Sequence, residues 1–217
     1  MSPTSEVVAC YFCGKEEKAD YVCPDGHYTC EECRLASPDE LVKRVCRASA
    51  ETDPMKIATL LMKHPAIPIH GPEHHYLVSS VLLAAIKNLG RPRIENTSFD
   101  DAVRRAKRIA YGSCGLWGIC GAAAGAGIAT SILTGANMMS DKERSQAMQV
   151  VSEALEEIAK IGGPRCCKAS TFTAIKSAVR FLKEKLGIPF PPSKDPKPCE
   201  FADLNKECLK EKCSYFR

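Results

Sequence analysis

The spacing C-x2-C-x16-C-x2-C in the first 35 residues (Cys10, Cys13, Cys30 and Cys33) constrains this chain more than any other feature. Each CxxC places two sulfurs on one tight turn, and two such knuckles complete a tetrahedral four-thiolate site. A stretch this short cannot bury enough surface to fold alone, so a bound metal would supply its stability. The pattern reads as structural zinc, with a rubredoxin-like iron site as the alternative that the same ligands allow. The chain holds 13 cysteines in all, and their grouping into short clusters suggests metal binding rather than disulfides. "MSPTSEVVACYFC" shows no basic segment followed by an apolar run. The expectation is therefore a cytoplasmic protein with reduced thiols.

The other segments differ sharply from this one. Residues 1–35 carry short strand-like pieces (Glu6 to Ala9, Ala19 to Val22) and no helical period. From Ser37 to about Leu186 the text is helical. Residues 187–198, "GIPFPPSKDPKP", hold five prolines and must be extended linker or surface wrap. The expected class is mainly α: a zinc-ribbon or knuckle module over 1–35, a helical core domain over 36–190, and a Pro-rich linker with a Cys-rich tail over 191–217.

Cap signals partition the middle. Ser37-Pro38-Asp39-Glu40 reads as a capping box with proline at the first helical position. Asp53-Pro54 opens a second helix that stops before Pro65, and Gly71-Pro72-Glu73 opens a third that ends at Gly90. The body of that third helix, "YLVSSVLLAAI", is apolar almost all round and hence buried. Ser98 is the expected cap of a fourth, whose basic residues Arg104, Arg105, Lys107 and Arg108 read as a solvated face. Ser140-Asp141-Lys142-Glu143 opens another that ends at Gly162-Gly163, and the last runs from about Ser170 to Leu186. A net charge of +4 is too small to argue for nucleic acid. Residues 118–136 are too short and too rich in small and hydroxyl residues for a membrane span.

"YGSCGLWGICGAAAGAG", residues 111–127, invites a nucleotide-loop reading, which it fails. No strand precedes it, and neither GxGxxG nor GxxxxGK[ST] occurs. What remains is a small-residue helix that lets another backbone or a bulky cofactor approach, because glycines inside a helix cost about 1 kcal/mol each and imply a packing purpose. Cys114 and Cys120 flank its start, and Cys166 and Cys167 stand just before the last core helix. Two cysteine groups at two helix starts could bring thiolates and positive helix ends to one point, which suits an anionic [4Fe–4S] cluster or a reactive thiolate pair. The competing reading is plain burial, common for reduced cysteine.

"IHGPEHHY" gathers His70, Glu73, His74 and His75. H-x-x-E-H resembles an inverted zinc-protease motif, but Gly71-Pro72 keeps His70 off the helix turn that carries His74. These four are expected as acid/base or ligand residues beside the cluster, with Glu73 alternatively serving only the helix N-terminus. The tail, Cys199-x8-Cys208-x4-Cys213, offers three metal ligands and leaves a fourth to come from elsewhere, with Cys46 unassigned.

Three resemblances add expectations. The order C-x2-C-x9-C-x3-H-x2-C-x2-C, which includes Cys23 and His27, resembles the first six ligands of a RING finger; the last CxxC of that pattern is missing here, and Cys23 and His27 read as packing and capping residues. The blocks "CGKEEKADYVCPDGHYTCEEC", "IHGPEHHYLVSSVLLAAIKN", "YGSCGLWGICGAAAGAGIA" and "NKECLKEKCSYF" resemble a cysteine-rich family of anaerobes and archaea, a domain of unknown function often labelled putative methyltransferase. No glycine-rich strand–loop–helix is present to bind S-adenosylmethionine. "CGAAAGAGIATSIL" followed by "CCKASTFTAIKSAVRFL" is similar to the cluster-binding half of iron–sulfur serine dehydratases and cysteine desulfidases. That resemblance implies Cys120, Cys166 and Cys167 as cluster ligands with an open iron for substrate, and Cys114 as a spare or alternative ligand. The expected function is redox or sulfur chemistry at that cluster, on a small-molecule substrate or with a redox partner, and with no membrane or nucleic acid involved. The alternatives are a non-catalytic zinc-stapled adaptor and an accessory subunit, including one of a methyltransferase system.

Overall fold

The computed structural model describes residues 2–90 and 94–216. The first part is built from two antiparallel two-stranded ribbons. β1 (Ser2–Pro3) pairs with β4 (Tyr21–Val22), and β2 (Val7–Ala9) pairs with β3 (Glu16–Lys18) in the register Val7 to Lys18 and Ala9 to Glu16. A single-turn helix, α1 (Glu31–Arg34), closes this part. It sits on the helices that follow: the Phe12 ring meets His64 edge-on at 4.6 Å, and Arg44 bonds Glu32 at 2.8 Å.

Eight further α-helices follow among the described residues: α2 (Pro38–Ala48), α3 (Pro54–Met62), α4 (Glu73–Asn88), α5 (Asn96–Ala106), α6 (Ser113–Leu116), α7 (Gly121–Thr134), α8 (Lys142–Ile161) and α9 (Cys167–Leu186). The class is mainly α, as its sequence implies. α4 is the axis of the core because it lacks a polar face: every residue from Tyr76 to Ile86 is buried. Of its two serines, Ser79 Oγ donates to the Tyr76 carbonyl at 3.0 Å, whereas Ser80 Oγ is buried without a partner among the described residues. Around α4 pack α7, α5, α2, α3 and α9, and α8 covers α7 and α9 from the far side.

Several starts follow the sequence logic. The Asp53 carboxylate accepts from Met55 N–H at 2.9 Å and caps α3. Others differ. Ser37 precedes α2, but its hydroxyl donates to Asp39 (2.9 Å) instead of capping the backbone. α5 begins at Asn96 with Glu95 as its cap; Ser98 lies inside the first turn and reaches back to the Glu95 N–H at 3.2 Å, a capping box with the roles exchanged. α9 starts at Cys167 rather than Ser170, because the Cys166 sulfur already accepts from Ala169 N–H at 3.5 Å. The basic face of α5 is occupied by ion pairs: Asp101 serves Arg104 and Arg105, and Asp39 meets Lys107 at 2.7 Å.

The proline-rich stretch wraps the surface. Ile188 and Phe190 are buried, Ser193 donates to Asp53 at 2.8 Å, and Asp195 pairs with Lys176. The tail then folds back on α9, where Phe201 and Tyr215 stack beside Phe172 and Tyr215 OH meets Thr173 Oγ1 at 3.0 Å. Among the described residues, no helix is long and apolar enough to cross a membrane.

Candidate functional site

The N-terminal knuckles converge. The sulfurs of Cys10, Cys13, Cys30 and Cys33 all lie within 4.8 Å of one another, with Cys13 and Cys30 3.7 Å apart. Metal–sulfur bonds of ~2.3 Å at tetrahedral angles put sulfurs ~3.8 Å apart, so the group fits a single metal ion. The turn after β2 forms the first knuckle, with Gly14 at φ +71 and its N–H on the Cys10 carbonyl (2.8 Å); the start of α1 forms the second. Burial pushes the Cys10 thiol up, but backbone N–H groups of Cys13, Cys30 and Phe12 outweigh it and bring it to about 7. Burial pushes Cys30 and Cys33 up, which a bound cation would reverse. Cys23, Asp25 and His27 form a second close group on an outer turn. There the Cys23 sulfur accepts from the His27 N–H at 3.3 Å and lies 3.6 Å from its Nδ1, closing the turn on itself.

A cavity of about 690 Å³ shares no lining residue with this group. Four distant segments line it: His74 and His75 in the first turn of α4, Cys114 in α6, Cys120 at the start of α7, and Cys166 and Cys167 at the start of α9. The far end of α8 and Glu207 of the tail close the wall. Helices α4, α7 and α9, of 16, 14 and 20 residues, thus all begin at this cavity. Each N-terminus carries about half a positive charge and unpaired N–H groups, so the space favours an anion.

The glycines of α7 make this arrangement possible. A methyl group at Gly121 would overlap the His75 ring, and one at Gly125 would meet the His75 carbonyl and Val78. α7 therefore lies directly on the first turns of α4. Gly127 does the same for α8, where a methyl would overlap Val151.

His74 is almost wholly enclosed. Its Nδ1 lies 3.1 Å from the Gly71 carbonyl, and its Nε2 is buried without a partner among the described residues. Burial, assisted by the nearby Lys168 charge, pushes His74 down to about 3. Burial lowers His75 as well, and its Nδ1 is likewise buried without a partner. Both imidazoles are neutral at physiological pH. Burial raises Cys166 to about 11 and raises Cys167 too, so without a cation the vicinal pair are thiols and not a reactive thiolate pair.

His70 and Glu73 do not line the cavity. His70 instead joins the entry of α4 to the tail. Its Nε2 lies 3.0 Å from Asn205 Oδ1, which can only accept, so Nε2 carries the proton; Nδ1 is then free to accept from Cys167 N–H at 3.5 Å. With both ring nitrogens engaged, His70 positions rather than reacts. The tail cysteines Cys199, Cys208 and Cys213 do not line the cavity but a separate, smaller void that Cys166 also lines. Cys46 is fully buried in α2 and lines neither space.

Sequence reasoning missed three groups. Arg165, stacked on the Tyr111 ring at 5.3 Å, sits at the cavity rim 3.9 Å from Glu207; its place beside Cys166 in "GGPRCC" was the available signal. Lys168 is 1% exposed, bonds the Pro68 carbonyl at 3.0 Å and lies 4.9 Å from the Phe201 ring. Asn205 carries no signal in the sequence.

No curated protein and no solved structure matches the chain. A family of unknown function (DUF5714) matches residues 42–216. The match begins within α2, leaves the four-cysteine group outside, and spans both the cavity and the tail. The chain belongs to this family of unknown function.

Proposed function

We propose that this metal-binding protein carries out redox or sulfur chemistry on a small anionic substrate in the 690 Å³ cavity, at a [4Fe–4S] cluster held by Cys114, Cys120 and Cys167. One observation carries the reading: four cysteines and two neutral histidines from separate segments line one space at which three helices begin. Three protein thiolates leave one iron open, and the remaining volume would admit a small molecule beside it. The helix ends and Arg165 supply the positive potential that a cluster and a carboxylate both require. His74, whose buried Nε2 has no partner among the described residues, would accept or return a proton at the substrate. The resemblance of α7 and α9 to the cluster-binding half of iron–sulfur dehydratases and desulfidases supports a cluster at these helix starts, although it implies Cys120, Cys166 and Cys167 as the ligands and Cys114 as the alternative. Zinc in the Cys10, Cys13, Cys30 and Cys33 group would be structural, and both sites imply a reducing, cytoplasmic setting.

The test is anaerobic purification and iron–sulfur reconstitution of the full chain. Absorbance near ~400 nm that Cys120→Ser and Cys167→Ser both diminish, and that small carboxylic or thiol acids perturb, supports the reading. Iron-free protein after reconstitution would overturn it and leave the zinc-stapled adaptor.

A further inference from the structure

The N-terminal module carries a second set of metal donors that the four-thiolate group leaves unused. β4 ends at Val22, and the chain then reverses through Cys23-Pro24-Asp25-Gly26-His27. Gly26 takes φ +79, and its N–H reaches the Cys23 carbonyl at 2.9 Å. The Cys23 N–H reaches the His27 carbonyl at 2.9 Å and closes the turn. This reversal brings the Cys23 sulfur, an Asp25 carboxylate oxygen and a His27 ring nitrogen within 4.8 Å of one another.

The sulfur and the imidazole already have the spacing of a metal chelate. Zn–S near ~2.3 Å and Zn–N near ~2.0 Å at a tetrahedral angle set sulfur and nitrogen about 3.5 Å apart. Cys23 Sγ and His27 Nδ1 lie 3.6 Å apart. The His27 N–H is directed at the same sulfur from 3.3 Å, a contact of the kind that stabilises a thiolate ligand.

The imidazole is held in place from behind. Its ring packs on Tyr11 at 4.3 Å between centroids, and the Tyr11 N–H bonds the carbonyl of the next residue, Tyr28, at 2.7 Å. Asp25 is the adjustable member. Its side chain is exposed and has no hydrogen bond or ion pair with any described residue, so it is free to turn onto a cation.

The donor types narrow the choice of metal. One thiolate, one imidazole and one carboxylate suit zinc, whereas magnesium and calcium take oxygen and avoid sulfur. Three protein donors on an exposed turn leave the fourth tetrahedral position to water. The Cys10, Cys13, Cys30 and Cys33 group differs on both counts, with four sulfurs and three of its members buried.

We propose that Cys23, Asp25 and His27 bind a second zinc ion, completed by water and exchangeable with solvent. Zinc takes the Cys23 sulfur as thiolate, and the thiol proton passes to water. The two metals of this module thus have different lifetimes. The four-thiolate zinc stays bound, while the outer one comes and goes with the zinc supply.

The probe is Zn²⁺ itself: the zinc-loaded full chain, reduced and anaerobic, is titrated with a chromogenic chelator. The wild type is expected to surrender about one zinc per chain early and to keep another until much higher chelator concentrations. Cys23→Ser with His27→Ala should lack the early zinc and keep the late one. The difference between the two proteins counts the outer site alone, whatever the cavity cysteines hold. Equal zinc content and equal release in both would overturn the proposal and leave the 3.6 Å contact as a thiol–imidazole hydrogen bond. Should the double variant lose the late zinc too, Asp25→Asn decides, because it leaves sulfur and imidazole in place. It should weaken the early zinc by about tenfold or more, and an unchanged titration would overturn the assignment.

Discussion

Gly121 lies so close to His75 that even a methyl group on its Cα would overlap the imidazole ring. The first turn of α7 and the first turn of α4 are thus fitted to each other at the wall of the cavity. Replacing Gly for Ala in an exposed helix gains up to about 1 kcal/mol, but overpacking costs about 1–3 kcal/mol. Gly121→Ala and Gly125→Ala should therefore lower the unfolding midpoint, Gly125→Ala more, because it meets a backbone carbonyl that cannot rotate away. Gly115→Ala, with open space around it, should be neutral to slightly stabilising. Denaturant titration of the three variants checks the order.

His74 makes stability depend on pH. Its folded pKa, about 3, lies below the unfolded value near 6.5, so below that value the unfolded chain takes up a proton that the folded chain refuses. Its contribution is complete above ~6.5 and is lost as pH falls toward about 3. Between pH 7 and pH 5 the loss is about 2 kcal/mol. His74→Asn should flatten that part of the profile. Comparing urea unfolding of the wild type and the variant at the two pH values isolates this residue from acid effects common to both.

Metal should hold the first 35 residues together. Cys13→Ser with Cys30→Ser should remove about one zinc per chain and expose residues 1–35 to protease, while the helices remain protected. Zinc release followed by limited proteolysis reads both effects. Cleavage within α4 or α9 would show instead that the helices depend on that metal.

The bridge from His70 through Asn205 should behave as one unit. Asn205→Ala leaves the His70 Nε2 proton without its acceptor and should cost about 1–3 kcal/mol. His70→Ala should cost a similar amount, and the double variant less than the sum. A double-mutant cycle measures the coupling, and strict additivity would mean the contact contributes nothing.

Helix content was legible because it rests on local rules. Asp53-Pro54 caps α3 as its residue types require, and the unbroken apolar run of α4 becomes the buried axis. The errors are also local. Ser98 looks like a cap but is the returning partner of Glu95, and Ser170 looks like a start although the Cys166 sulfur does that work four residues earlier. The cavity was partly legible, since glycines and cysteines at helix starts imply close approach there. The separation of His70 from His74, and the meeting of Cys166 with residues more than thirty positions away, were not. They depend on how the tail folds back through Asn205, an ordinary surface-type residue whose burial no periodicity announces.

Cys166 and Cys167 are neighbours on one backbone, their Cα atoms ~3.8 Å apart; Cys167 lines the cavity alone, whereas Cys166 lines both the cavity and the tail void. A single Cys166 sulfur can serve only one of the two spaces at a time. A ligand that takes that sulfur in one space should therefore weaken any that needs it in the other, and thermodynamic reciprocity makes the factor identical in both directions.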